Sequence, residues 1–101
     1  MDIIKNLEDN KLTVDVIGKL DTNTAPELEA ALSNEVTTVK HLILNLKELN
    51  YISSAGLRVI LIFHKQLSAG GGKLTVLNPR EEVMDVFDMT GFSSFLNIEE
   101  R

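Results

Sequence analysis

Within Leu49 to Leu61, LNYISSAGLRVIL, two adjacent hydroxyls, Ser53 and Ser54, stand where an apolar strand-like run gives way to helical spacing. A serine in such a place can attack a substrate, cap a helix or accept a covalent modification. Attack needs a base within hydrogen-bond reach. If both lie on one helix, His64 is about 15 Å from Ser54 at 1.5 Å per residue, and no Gly-x-Ser-x-Gly elbow is present. Serine hydrolase chemistry is therefore not expected, and an activated ester should not be turned over. His64 reads as a neutral structural histidine, and His41, the only other one, opens a strand. With no cysteine, thiolate nucleophiles, disulfides and thiolate metal sites are excluded. Gly70 to Gly72 follow a helix and precede a strand, the reverse of a phosphate-binding loop. Glu81, Glu82, Asp85 and Asp88 form an acidic helix face without convergent ligands. No catalytic residue, metal site or cofactor is expected.

The other two serine roles fit together. As an N-cap, Ser54 would place Ala55, Gly56 and Leu57 in the first helical turn, and shifting the cap to Ser53 changes little. Either way a hydroxyl lies at the positive end of a helix, beside Gly56, whose missing side chain would let another molecule approach the backbone. A phosphate there adds about −1.5 to −2 charges where the helix dipole favours an anion. The fold should tolerate it, whereas a partner docked against a small neutral serine would meet a bulky dianion. Along this helix Leu57, Val59, Ile60, Leu61, Phe63, His64 and Leu67 form the inner arc. Ile62 falls among Arg58, Lys65 and Gln66 on the outer arc, an apolar centre with a charged rim that suits a partner surface.

The elements that must position these residues follow from hydrophobic period. Leu12, Val14 and Val16 alternate with Thr13, Asp15 and Ile17, as in a strand with one buried face, and MDIIKNL before it reads as its hairpin partner. TAPELEAAL opens a helix, with Thr24 and Glu27 matching a capping box around Pro26 and Leu28, Ala31 and Leu32 facing inward. HLILNLKEL is nearly continuous in apolar residues, as in a central strand covered on both faces. Gly70 to Gly72 end the serine-led helix, with glycine supplying a left-handed cap. KLTVLN is a further strand, a last helix runs from Asn78 and Pro79 to Gly91, and FLNI forms a short final strand. Strands alternating with helices predict an α/β fold, a mixed, mostly parallel sheet of about four to five strands with helices packed on it.

The 101 residues, 44% hydrophobic and 25% charged, suit one globular domain spanning 1–101. The longest apolar run, Val59 to Phe63, is far short of the ~20 residues that cross a bilayer. The N-terminus lacks the basic and apolar regions of a signal peptide. A cytoplasmic protein without membrane insertion is expected. A net charge of −5 with scattered basic residues argues against direct nucleic-acid binding.

GKLDTNTAPEL, HLILNLKELNYISSAGLRVIL, GGKLTVLNP and VFDMTGF occur in the order and spacing of a STAS domain, and the chain resembles the bacterial anti-sigma factor antagonists over nearly its whole length. The strand, loop, serine, Gly-Leu and helix from Leu42 to Leu61 are the most specific part. The resemblance implies a non-enzymatic protein that binds an anti-sigma factor, a serine kinase of the histidine-kinase-like ATPase fold, and so releases a sigma factor. Phosphorylation by that kinase ends the complex, and a phosphatase of the PP2C type reverses it. Aligning the Gly-Leu pair puts the acceptor at Ser54. It also assigns Asp21, Thr22, Ser53, Gly56, Leu57 and Arg58 to the docking surface, to which Ile62 is added from the helical wheel. Where family members often carry Asp before the acceptor and Ser or Thr after it, this chain has Ser53 and Ala55. A monomer is expected. A different use of the fold, as a soluble subunit of a lipid-transport ATPase acting without phosphorylation, is the alternative that affinity purification would separate.

Overall fold

A computed structural model describes residues 1–101. The chain runs β1 (Asp2–Glu8), β2 (Lys11–Leu20), α1 (Ala25–Val36), β3 (His41–Asn45), β4 (Leu49–Ile52), α2 (Ser54–Ala69), β5 (Lys73–Leu77), α3 (Glu81–Thr90), a 3₁₀ turn (Phe92–Ser94) and β6 (Asn97–Glu99). The sheet has six strands in the order β1-β2-β3-β5-β6, with β4 joined to β2 off this path. Only β1 and β2 pair antiparallel, through a hairpin in which Glu8 faces Lys11 and Asp9 takes φ 53°. All other pairings are parallel. The mixed, mostly parallel α/β sheet matches the expectation from the sequence. Its additional strand is β4, four residues long.

Alternation in β2 works as its period requires: Leu12, Val14, Val16 and Leu20 are buried, while Thr13, Asp15 and Ile17 are half-exposed. They join Leu42, Leu44, Leu74 and Val76 of the sheet, Leu28 and Leu32 of α1, Ile60, Phe63 and Leu67 of α2, and Val83 and Phe87 of α3 in one continuous core. Each such side chain removed from water contributes roughly 1.5–3 kcal/mol. His64 is half-buried, its ring tilted against Phe95 at 5.1 Å.

The alternate positions of the strands carry a polar lattice. Thr75, fully buried, accepts from Asn97 Nδ2 at 2.9 Å and lies 2.8 Å from His41 Nε2. Burial, then Lys73 and Lys11, push the His41 pKa down, which favours the neutral ring and lets the Thr75 hydroxyl donate to Nε2.

Three helix ends differ in detail from the expectation. Gly70 itself has φ −90°, and the left-handed residue is Gly71 at φ 78°. Gly72 is required by close approach, because a Cβ there would lie 2.4 Å from the Lys40 carbonyl oxygen. At α3, Asn78 takes φ 52° and the helix begins after Arg80, two residues past Asn78-Pro79, while Gly91 ends it at φ 82° as expected. The third, the start of α1, belongs to the site.

Candidate functional site

Two parallel strands, β2 and β4, end side by side, and each leads straight into a helix. Ser53 N–H donates to the Leu20 carbonyl at 2.9 Å, which ties the turn into α2 to the turn into α1. Parallel strands require their following helices to start at the same edge, so both helix N-termini meet there.

The α1 turn is built on Asp21 and Thr24. Asp21 Oδ1 accepts from the N–H groups of Asn23 and Thr24, each at 2.9 Å, and Thr24 Oγ1 accepts from the Asp21 N–H at 2.8 Å while donating to the Lys19 carbonyl. Ala25 N–H donates to the Asp21 carbonyl, which closes a turn immediately before α1, whose N-cap position is Thr24. This is a reciprocal capping box three residues earlier than the expected Thr24–Glu27 pair, and Thr24 makes no side-chain cap of its own. β2 ends at Leu20, so Asp21 is the first residue after the strand, and its carboxylate takes up the box with Thr24. The Thr24 N–H chiefly, with the Asn23 N–H, the Thr24 hydroxyl and the charge of Lys19, lowers the Asp21 pKa against a smaller opposing effect of burial.

The α2 turn is lighter. Ser53, in extended conformation at φ −96° and ψ 173°, is the N-cap, its Oγ accepting from Gly56 N–H at 3.3 Å. Ser54 is thus the first helical residue. It is exposed, its hydroxyl holds no hydrogen bond, and no acidic residue occupies the first turn of α2. The N–H groups of Ser54 and Ala55 find no acceptor within the chain.

Between the two helix starts runs a groove of about 200 Å³, lined by Thr22, Ala25, Pro26 and Glu29 of the α1 segment and by Ala55, Arg58, Val59 and Ile62 of α2. That volume is below the roughly 300–1,000 Å³ of a small-molecule site and has room for one or two side chains. Arg58 is exposed, and the three ion pairs of the chain leave it unpaired: Lys5–Glu35, Arg80–Glu82 and Arg101–Glu99.

The structure therefore brings Asp21, Thr22, Ser53, Ser54, Arg58 and Ile62 to one edge. Two expected contact residues are corrected. Gly56 is buried, and a Cβ on it would meet Leu20 Cγ at 2.7 Å and Ile52 Cγ1 at 2.9 Å, so its missing side chain admits the chain's own core and not a visitor. Leu57 is 6% exposed and likewise packs inward. Ile62, expected on the outer arc, is half-buried in the groove wall. Sequence reasoning missed Ala25, Pro26, Glu29, Ala55 and Val59. Their signal was present: 22, 25, 26, 29 and 55, 58, 59, 62 repeat the same i, i+3, i+4, i+7 stripe.

A family model described as the STAS domain matches residues 2–101. BtrV of Bordetella bronchiseptica, whose name assigns it provisionally to the anti-sigma factor antagonists, is 37% identical over 98 residues, covering 87% of this chain and 84% of BtrV. The anti-sigma-B factor antagonist of Bacillus subtilis is 30% identical over 90 residues, covering 89% of this chain and 83% of its own. Among solved structures, the anti-sigma factor antagonist SpoIIAA superposes with a TM-score of 0.87 in its unphosphorylated form, at 21% identity over 99% of this chain and 88% of that one. Its phosphorylated form from Bacillus superposes at 0.80, with 20% identity over 99% and 91%. These two share the fold. No helix is long and apolar enough to cross a membrane.

Proposed function

The chain belongs to the STAS domain family, and from that premise we propose that it is a non-enzymatic, cytoplasmic anti-sigma factor antagonist whose docking edge is switched by phosphorylation of Ser54. One observation carries the choice of acceptor: of the two adjacent hydroxyls, Ser53 is engaged as the N-cap of α2 while Ser54 stands exposed and unbonded one residue on. In the modification the Ser54 oxygen attacks the γ-phosphorus of ATP, the bond to the ADP oxygen breaks, and the hydroxyl proton leaves to a base of the kinase. Hydrolysis by a PP2C-type phosphatase returns serine and inorganic phosphate.

Docking and switching use different parts of the edge. The partner, an anti-sigma factor serine kinase, seats one or two side chains in the α1–α2 groove with Thr22, Arg58 and Ile62 at its walls, while Asp21 holds the α1 lip in shape. A dianion at Ser54 is compatible with its own helix, where the Ser54 and Ala55 N–H groups are free and the first turn carries no carboxylate. For the partner the same dianion is a clash and a desolvation cost. Relatives named as anti-sigma factor antagonists, together with a fold relative solved in both unphosphorylated and phosphorylated forms, support this reading.

Incubation with the cognate kinase and ATP should add one phosphate, located at Ser54 by fragment mass spectra and abolished in Ser54→Ala. A phosphate on Ser53 or elsewhere refutes the acceptor. Recovery of a lipid-transport ATPase in place of a kinase on affinity purification refutes the partner.

A further inference from the structure

Building on Ser54 as the acceptor, we propose that Arg58 is the phosphate's partner within the chain. It closes onto phosphorylated Ser54, so that modification withdraws a cation from the docking groove while adding a dianion beside it. Residues four apart on a helix are neighbours, with Cβ atoms about 5–6 Å apart, and an anion N-terminal to a cation is the favourable order. Both side chains are exposed. The Arg58 guanidinium has no carboxylate to leave, since the three ion pairs of the chain are all elsewhere. Its planar fork can donate two hydrogen bonds to phosphate oxygens. No other cation of α2 is near, because Lys65 lies about three turns further along.

The charged groups facing this pair from the α1 side are two carboxylates and Lys19, whose ammonium acts on Asp21. Glu29 lines the opposite wall of the groove, and Asp21 is occupied by the N–H groups of Asn23 and Thr24. Before modification Arg58 is therefore shared between solvent and the groove, free to meet an acidic group of the partner. After modification the dianion four residues away outcompetes the single charge of Glu29. The switch thus has two components at one helix start, and the second depends on an arginine at residue 58.

The test uses full-length protein with phosphoserine installed genetically at residue 54, so that no kinase is needed. Phosphorus NMR titration reads the second ionisation of the phosphate, near 6 in the absence of partners. Arg58→Gln should raise it by about 0.3 unit, with Asp21, Glu29 and Lys19 common to both proteins, and Arg58→Lys should keep part of the effect. Equal titration curves for the unsubstituted and Arg58→Gln phosphoproteins would overturn the pairing. Independently of any variant, the Arg58 Nε–H signal should shift and exchange more slowly with water on phosphorylation, and an unchanged signal would also overturn it. A kinase that modifies some other residue refutes the acceptor assignment alone, because the installed phosphate still reports on Arg58.

Discussion

The starts of α1 and α2 lie side by side at one sheet edge, yet they are built differently. At α1 a carboxylate and a hydroxyl cap each other's backbone, and Asp21 alone accepts from two N–H groups at 2.9 Å. At α2 a single serine makes one bond of 3.3 Å, and the next serine makes none. The first is a fixed lip. The second is held in place from beneath, by Gly56 seated against Leu20 and Ile52, which leaves its upper surface chemically free. The proposed modification without unfolding needs this division, with stability supplied by packing below and reactivity left above.

Substitutions at the two starts should therefore rank by depth. The largest effect is expected for Gly56→Ala, whose Cβ would press on Leu20 and Ile52 and cost about 2 kcal/mol by overpacking, read from urea unfolding. If that variant is as stable as the parent, α2 is not held from beneath. Asp21→Ala should follow, with a smaller loss than Gly56→Ala and a larger one than any α2 cap variant.

That second comparison sharpens with pH. Because folding lowers the Asp21 pKa, the native state binds this proton more weakly than the unfolded chain. The resulting stability is complete above the unfolded value, near 4, and is lost as pH falls through the lower native one. The stability gap between the parent and Asp21→Asn should thus be widest near neutrality and narrow in acid. His41 acts in a different window: its native pKa is also depressed, so its contribution is present above about 6.5 and declines as pH falls below that. A gap that stays constant down to pH 2.5 would contradict the hydrogen bonds drawn at Asp21.

Ser53→Ala should cost about 0.5 kcal/mol, the low end for an N-cap serine, in keeping with its long bond. Smallest of all, Ser54→Ala should leave the melting temperature unchanged while removing the proposed phosphate acceptor. A larger loss at Ser54 than at Ser53 would reverse their roles.

Most of the framework was legible in the chain because it rests on long-period patterns. The alternation from Leu12 to Val16, the apolar run from Leu42 to Leu46 and the glycines at 70–72 each specify an element by steric or solvation rules that neighbours rarely override. Strand β4 was not legible, since LNYI is too short to display a period and exists because β2 continues past β3 and offers Gly18 to Leu20 as a partner. Thr24 is the N-cap of α1 as its sequence indicates, but its hydroxyl pairs back to Asp21 and not forward to Glu27, because Asp21–Thr24 and Thr24–Glu27 are both chemically sound boxes and only the end of β2 decides between them. At the site, the exposed arginine followed from helical spacing, whereas spacing alone offered Ser54 as the cap and left its choice over Ser53 to the family resemblance. The inward role of Gly56 did not, because a missing side chain looks the same in sequence whether the space is filled by the chain or by a visitor.

Strand β2 pairs with β1 and β3 along its first part and with β4 at its end, where the register shifts between Gly18 and Lys19. Both lips of the groove are consequently hung from a single ten-residue strand, one by covalent continuation and the other through the Ser53 to Leu20 bond. Widening their spacing would break the pairing of β4 with the end of β2 as well as that hydrogen bond. Association at this edge should then proceed as a lock receiving its key: one bimolecular phase in stopped flow, its rate rising linearly with concentration, with no slow isomerisation trailing behind.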